Sequence, residues 1–133
     1  MRTPTIETLS EAETKKFAVQ CADTAKIGDI FLLNGPLGAG KSVFARAFIQ
    51  HLAGAEINVP SPTFTLVQIY DTAKASLWHF DLYRLEDPDE VYEIGWEEAL
   101  DDNILLIEWP EHLGHLKPDT YKEIIIEPLT NES

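Results

Sequence analysis

A glycine-rich segment, GPLGAGKS at positions 35–42, constrains the fold of this chain more than any other part of the sequence. It follows IFLLN, a short apolar run typical of a strand buried on both faces of a sheet. It leads into KSVFARAFIQHLA, which predicts a helix ending near Gly54. A GxxxxGK[ST] segment between a buried strand and a helix is the P-loop pattern, which surrounds a phosphate chain with backbone N–H groups.

Each residue type in this segment has a physical role in phosphate binding. Glycine allows phosphates to approach the backbone, and Lys41 supplies a mobile positive charge for the outer phosphates. The Ser42 hydroxyl is suited to the ligand shell of Mg²⁺. A chance glycine-rich turn is the alternative, and the strand and helix on either side disfavour it. The residues predicted to contact the nucleotide here are Gly35, Gly38, Ala39, Gly40, Lys41 and Ser42.

The rest of the chain predicts an α/β fold. A first helix is expected over positions 9–29, with Gly28 at its end. The stretch from Asp87 to Asp102 is acidic and helical in parts. Because strands and helices alternate early and strands crowd together later, we predict one P-loop NTPase-like domain over residues 1–133, with a mixed, mainly parallel sheet flanked by helices. The later predicted strands are TLVQIYD, SLWHFDLYR, NILLIEWPE and YKEIIIEPL.

The charge balance limits the possible partners. The chain has 23 acidic residues against 10 Lys and Arg, a formal net charge of −13. Such a surface repels nucleic-acid phosphates, so we expect any RNA target to be held by a partner protein. The acidic run from Glu86 to Asp102 is either a solvated face or a docking surface for a basic partner.

The cysteine content and the distribution of apolar residues indicate the cellular location. The single cysteine, Cys21, excludes an internal disulfide and is expected to be a buried, inert thiol. The N-terminal residues are acidic where a signal peptide would be apolar, and no apolar run reaches membrane-spanning length. We therefore expect a soluble, cytoplasmic protein.

Two acids are predicted at strand ends, where ligands gather in open α/β sheets. Asp81 closes LWHFD and Glu108 closes ILLIE, so at least one is expected to hold Mg²⁺, although spacing leaves open which one binds directly. The alternative is that each acid merely marks where a strand meets water. His79 should face the same side as Asp81, as a hydrogen-bonded structural histidine or, alternatively, a proton-transfer group.

Two further positions are left with open alternatives. Thr63, within PSPTF, could approach a γ-phosphate from a rigid loop or belong to a plain turn. Trp109, directly after Glu108, could pack in the core or present a ring face to the nucleotide.

The combination of LGAGKS, SPTFTLVQIY, HFDLYRL and IEWPE, in this order, resembles the TsaE (YjeE) family over about positions 9–127. The P-loop alone is shared by many families, whereas the joint occurrence of the other three motifs is far more specific. The resemblance implies ATP and Mg²⁺ binding, slow ATP hydrolysis and a role in threonylcarbamoyladenosine modification of tRNA beside the anticodon. It also implies association with the TsaD and TsaB proteins.

The resemblance carries over to particular residues of this chain. It implies that the SEAET segment places Glu11 or Thr14 near the adenine. The chain departs from the family pattern at Pro36, where an acid is usual, and at Ser42, where threonine is usual. The implied roles are the phosphate lysine for Lys41, metal ligation for Ser42, Asp81 and Glu108, the switch-loop threonine for Thr63, and a functional tryptophan for Trp109.

Two other functions compete with an ATPase that controls a protein complex. A small P-loop kinase would need cationic groups to clamp the transferred phosphate, yet Arg46 and Arg84 are the only arginines after Lys41. A nucleotide-binding interaction module without turnover would use almost the same residues, so the sequence leaves it open.

Overall fold

The computed structural model describes residues 5–7, 11–35, 40–54, 57–60 and 65–127. The predicted positions Pro36, Gly38, Ala39 and Thr63 lie outside these ranges. Two 3₁₀ segments are present at Pro88–Ile94 and Pro110–Leu116. The helices are α1 (Glu11–Thr24), α2 (Lys41–Ala53) and the short α3 (Trp96–Ala99). The strands are β1 (Thr5–Glu7), β2 (Ile30–Asn34), β3 (Val67–Asp71), β4 (Ser76–Asp81), β5 (Ile104–Glu108) and β6 (Lys122–Glu127).

The six strands described form one sheet in the order β1-β6-β2-β5-β4-β3. Only the β3–β4 pair is antiparallel, so the predicted mixed, mainly parallel α/β fold is confirmed. The register pairs Leu33 of β2 and Asp81 of β4 with Glu108 of β5. The carboxyl ends of these three parallel strands therefore meet at one edge of the sheet, beside the start of α2.

The sheet separates two hydrophobic cores, because its central strands are apolar on both faces. Helices α1 and α2 cover one face, where Phe44 and Phe48 of α2 pack with Phe31 and Leu106 of the sheet. The 3₁₀ segments and α3 cover the other face. The larger side chains buried there are Leu32, Trp78, Phe80, Trp96 and Leu113. This double burial holds the strand ends rigidly at the shared edge.

The first helix is shorter than predicted, because α1 ends at Thr24 instead of near Gly28. Lys74, in the turn between β3 and β4, donates from Nζ to three carbonyls near the end of α1, with N···O distances of 2.8–2.9 Å. These bonds satisfy carbonyls that a longer helix would have used internally. Gly28 has a φ of +95° and lies in the turn before β2.

Other element boundaries also differ from the sequence prediction. The strand predicted to run to Arg84 ends at Asp81, and the strand predicted from Thr65 begins at Val67. Strand β1 and the 3₁₀ segment Pro110–Leu116 were not predicted. A three-residue strand has too little periodicity to be recognised, and β1 is defined by its pairing with β6. Among the described residues, no helix has both the length and the apolar character needed to cross a bilayer.

Candidate functional site

Two buried carboxylates lie side by side at the edge of the sheet. Asp81 and Glu108 end β4 and β5, are paired in register, and are each 5% exposed. Asp81 Oδ1 accepts a hydrogen bond from the backbone N–H of Tyr83 at 3.1 Å. Glu108 Oε2 lies 2.7 Å from His79 Nε2. Two neighbouring buried acids are costly unless cations or donors compensate them, so this edge is suited to a positively charged ligand or metal.

Lys41 brings a positive charge to the same edge. Gly40 has a φ of +104°, a conformation that glycine adopts readily, and its carbonyl accepts from the Phe44 N–H to start α2. The Lys41 side chain is buried, and its Nζ has no hydrogen-bond partner among the described residues. Nζ lies 3.5 Å from the centroid of a Trp109 ring.

The electrostatics of this lysine follow from its burial. Desolvation lowers the pKa of Lys41, and the nearby carboxylates of Glu108, Glu111 and Asp81 oppose that shift. An ammonium that is buried without a hydrogen-bond partner interacts strongly with any anion that reaches it, because the local dielectric constant is low. The arrangement of Lys41 is therefore suited to a phosphate ligand.

Ser42 shares a small cavity with Glu108. This cavity has a volume of about 50 Å³ and is lined by Ser42, Arg46, Val59, Pro60, His79 and Glu108. Mg²⁺ is held in proteins by one or two carboxylates together with hydroxyl, phosphate and water oxygens. The hydroxyl of Ser42 and the neighbouring carboxylates of Asp81 and Glu108 fit that ligand set. The described residues contain no cluster of three or more His, Cys, Asp and Glu side chains of the kind that forms an all-protein metal cage.

Trp109 lies at the rim of the site. It has a φ of +60° and a ψ of +50°, a left-handed conformation that a bulky residue rarely adopts. Its ring contacts Tyr83 at a centroid distance of 5.1 Å and His112 at 6.1 Å, in addition to Lys41. The side chain is only half-buried. The ring packs against the second hydrophobic core and also contacts Lys41, so the position has features of both alternatives left by the sequence.

The N-terminal residues differ in how they approach the site. Thr14 is 2% exposed, and its Oγ1 lies 4.0 Å from the position that a Cβ on Gly40 would occupy. Glu11 is exposed in the first turn of α1. The structure thus brings Thr14 against the end of the glycine loop and leaves Glu11 in solvent. Of the predicted loop glycines, Gly35 and Gly40 are described, and they lie before and after the segment 36–39.

Several contacts were not predicted from the sequence. His79 is a buried, hydrogen-bonded histidine, as the sequence favoured, but its partner Glu108 lies 29 residues away. Arg46 lines the cavity one helical turn after Ser42, and the helical spacing of four residues was a signal that could have indicated this. Cys21 is half-buried, and burial raises the pKa of its thiol to about 11, which agrees with an unreactive thiol.

A mainly parallel sheet, a glycine-led helix carrying Lys41 and Ser42, and acids at two adjacent strand ends define a P-loop-like protein. Comparison with known proteins narrows this class. The family described as "Threonylcarbamoyl adenosine biosynthesis protein TsaE" matches residues 8–133. The chain belongs to this TsaE family of tRNA threonylcarbamoyladenosine biosynthesis proteins.

Individual relatives agree with this assignment. The chain is 48% identical to the tRNA threonylcarbamoyladenosine biosynthesis protein TsaE of Rickettsia prowazekii, covering 92% of this chain and 85% of the relative. It is 37% identical to the TsaE protein of Bacillus subtilis, covering 90% and 74% of the two chains. The fold is similar to the crystal structure of Bacillus subtilis YdiB, with a TM-score of 0.72, 30% identity, and coverage of 93% and 76%.

Proposed function

We propose that this protein binds ATP with Mg²⁺ at the sheet edge and hydrolyses it slowly, and that its nucleotide state serves the TsaD–TsaB complex in tRNA threonylcarbamoyladenosine formation. The observation that carries the proposal is that a buried ammonium lies close enough to two buried carboxylates, beside the start of α2, for their charges to act on its pKa. Such a set of charges suits a phosphate chain that arrives together with a divalent cation.

Each group has a defined part in this proposal. The N-terminal N–H groups of α2 and the Lys41 ammonium stabilise negative charge on the outer phosphates. Ser42, Asp81 and Glu108 would hold Mg²⁺, which neutralises phosphate charge when bound. Thr63, in a segment outside the described residues, is proposed to help order the attacking water.

Slow turnover is part of the proposal because the sequence offers few cationic groups for the transferred phosphate. Arg46 and Arg84 are the only arginines after Lys41. A transition-state arginine accelerates phosphoryl transfer by several orders of magnitude in related enzymes, and we assign that role to neither Arg46 nor Arg84, so the proposed turnover in isolation is slow.

The partner proposal rests on charge. The exposed acids of the 3₁₀ segment Pro88–Ile94 and of α3 form an acidic face, which we define as Asp89, Glu93, Glu97 and Glu98. Tyr92 and Leu100 are exposed beside it. A face of this charge associates faster with a basic protein surface and repels RNA. We therefore propose that tRNA reaches this protein only through the TsaD–TsaB complex.

The test of the ATPase proposal compares Glu108→Gln with the wild type. The change keeps the size of the side chain and removes one negative charge. We expect wild-type protein to bind ATP with Mg²⁺ in calorimetric titration and to release phosphate, and the variant to lose turnover and most Mg²⁺ dependence while staying folded. Asp81→Asn is the matched comparison, and the more damaging of the two changes identifies the direct metal ligand.

Three outcomes separate the competing functions. Nucleotide binding without phosphate release, both alone and with TsaD–TsaB, would replace the ATPase proposal with a binding module. Transfer of phosphate to a metabolite would replace it with a kinase. If neither acid substitution changes Mg²⁺ dependence, the two carboxylates are not the metal site.

A further inference from the structure

The contact between His79 and Glu108 has no assigned role in the proposed reaction. His79 Nε2 lies 2.7 Å from Glu108 Oε2, and both residues are buried. The two side chains come from neighbouring strands, with Leu106 of β5 in register with His79. His79, Asp81 and Glu108 therefore project from the same face of the sheet, towards α2.

The environment of the imidazole assigns its tautomer. Nδ1 of His79 is buried and has no hydrogen-bond partner among the described residues. A proton on Nδ1 would be a buried donor without an acceptor, which is unfavourable. A proton on Nε2 instead makes a short bond to a carboxylate, a strong type of hydrogen bond. The contact is therefore a hydrogen bond in which His79 Nε2 donates to Glu108 Oε2.

We propose that His79 is a positioning residue for Glu108, an inference that rests on the proposed Mg·ATP site. Its N–H occupies Oε2, fixes the rotamer of the carboxylate, and leaves Oε1 as the better ligand oxygen for Mg²⁺. Carboxylates that bind metals are commonly oriented by such hydrogen bonds from neighbouring side chains. His79 is 2% exposed. This burial makes a positioning role a better fit than proton transfer to a substrate that arrives from solvent.

The physical advantage is that the carboxylate is ordered before the metal binds. A glutamate side chain has three rotatable torsions, and restricting them opposes metal binding when nothing else holds the group. Without the hydrogen bond from the His79 N–H, Mg²⁺ binding itself must restrict these torsions, so the entropy cost weakens the binding of the metal. Loss of such a supporting contact lowers metal affinity by about 10- to 100-fold.

Two substitutions at position 79 isolate the Nε2 donor. In His79→Gln, the amide nitrogen takes the approximate position of Nε2 and can still donate to Glu108. In His79→Asn, the amide nitrogen corresponds to Nδ1 and falls short of Glu108. The control is His115→Gln, because the His115 side chain is 71% exposed and lies on the 3₁₀ segment Pro110–Leu116.

The measurement is the Mg²⁺ concentration that gives half-maximal ATP binding, followed by titration calorimetry, with thermal unfolding without ligand recorded in parallel. We expect the midpoint to rise about tenfold or more in His79→Asn and less than threefold in His79→Gln and His115→Gln. Equal midpoints for Asn and Gln would overturn the proposal. So would a loss of thermal stability in His79→Asn with an unchanged Mg²⁺ midpoint, which is the result expected of a purely structural contact.

A second measurement covers the case in which His79→Asn does not fold. Long-range ¹H–¹⁵N NMR of the wild type, with the His79 signals identified by their loss in His79→Gln, should show protonated Nε2 and unprotonated Nδ1. Those signals should shift with Mg²⁺ and ATP together and not with ATP and a chelator, and the absence of that difference would overturn the proposal. If ATP binding by the wild type proves independent of Mg²⁺, the proposed function fails as well. If wild-type binding depends on Mg²⁺ but His79→Asn leaves the Mg²⁺ midpoint unchanged, only the inference about His79 is rejected.

Discussion

Replacing Lys41 with methionine should stabilise the fold and abolish nucleotide binding. The Lys41 ammonium is buried without a hydrogen-bond partner among the described residues. Methionine keeps the apolar stem and removes the charge. An unsatisfied buried polar group costs about 1–3 kcal/mol, and more when charged. The cation–π contact of the Lys41 ammonium with the Trp109 ring contributes up to about 2 kcal/mol of stability, which offsets part of this cost. Because a charged group lies at or above the upper end of that range, and because desolvation outweighs the attraction of the nearby carboxylates in lowering the pKa of Lys41, we expect a net gain of about 1–2 kcal/mol for Lys41→Met.

This gain in the free energy of unfolding corresponds to a measurable rise in melting temperature. The unfolding entropy of a 133-residue chain is about 0.28 kcal/mol/K, so Lys41→Met should melt about 4–7 °C above the wild type without nucleotide. ATP with Mg²⁺ at 100 times its dissociation constant should stabilise the wild type by about 2.7 kcal/mol, or roughly 10 °C, and leave the variant unchanged. The order of the two melting temperatures should therefore reverse when ATP and Mg²⁺ are added.

The pH dependence provides an independent check on the same reasoning. Burial lowers the pKa of Lys41 below its ordinary value of 10.5. At a pH below the folded-state pKa, Lys41 is protonated in both the folded and the unfolded protein, so the folded protein bears the full cost of burying the ammonium. As the pH rises from the folded-state pKa towards 10.5, the folded state releases its proton first, and the cost is lost. The stability advantage of Lys41→Met should therefore shrink as the pH rises through that window.

Differential scanning calorimetry with and without ATP and Mg²⁺ measures the first two effects, and scans without nucleotide over a series of pH values measure the third. A variant less stable than the wild type without nucleotide would show that Lys41 is stabilised by its surroundings, which refutes the desolvation argument. Equal stabilisation of both proteins by ATP would remove Lys41 from the nucleotide site.

Three further predictions address other parts of the molecule. Lys74→Met should destabilise the fold by about 2 kcal/mol, because three carbonyls near the end of α1 lose a charged donor. Gly95→Ala should cost about 1–3 kcal/mol, since φ is +91° and a Cβ would lie 3.1 Å from the Trp78 ring. Denaturant unfolding measures both. Charge reversal on the acidic run should slow association with TsaD–TsaB as measured by surface plasmon resonance, and the wild-type rate should fall with added salt. The positions to reverse are Glu90, Glu93 and Glu97, of which Glu93 and Glu97 belong to the acidic face and Glu90 is half-buried beside it.

The Lys74→Met and charge-reversal predictions each have a control. Lys26→Met removes an exposed lysine near the same end of α1 and should change stability by less than about 0.5 kcal/mol. If Lys26→Met destabilises the protein as much as Lys74→Met does, the loss of stability comes from removing any positive charge near the end of α1 and not from losing the hydrogen bonds to the three carbonyls. The charge reversals should leave ATP binding unchanged, and filter binding should show weak binding of free tRNA. Tight tRNA binding by the isolated chain, or association independent of salt, would contradict the proposed docking.

The parts of the site that depend on local pattern could be predicted from the amino-acid sequence. The strand Ile30–Asn34 and the helix Lys41–Ala53 were predicted at their observed bounds, because a continuous apolar run and a helical repeat lie on either side of the glycine loop. The acids Asp81 and Glu108 were predicted at strand ends for the same reason, since each directly follows an apolar run.

The contacts between distant side chains could not be predicted in this way, because they form only when the whole chain packs. Nothing in the local pattern pairs His79 with Glu108, places Lys41 on the face of Trp109, or directs Lys74 to the end of α1. These contacts join residues 29, 68 and 52 positions apart, and they depend on the strand order that places β4 beside β5 and on the packing of α1 against the sheet. Local periodicity reports which face of an element is buried, whereas the partner on that face is selected only when the whole chain packs.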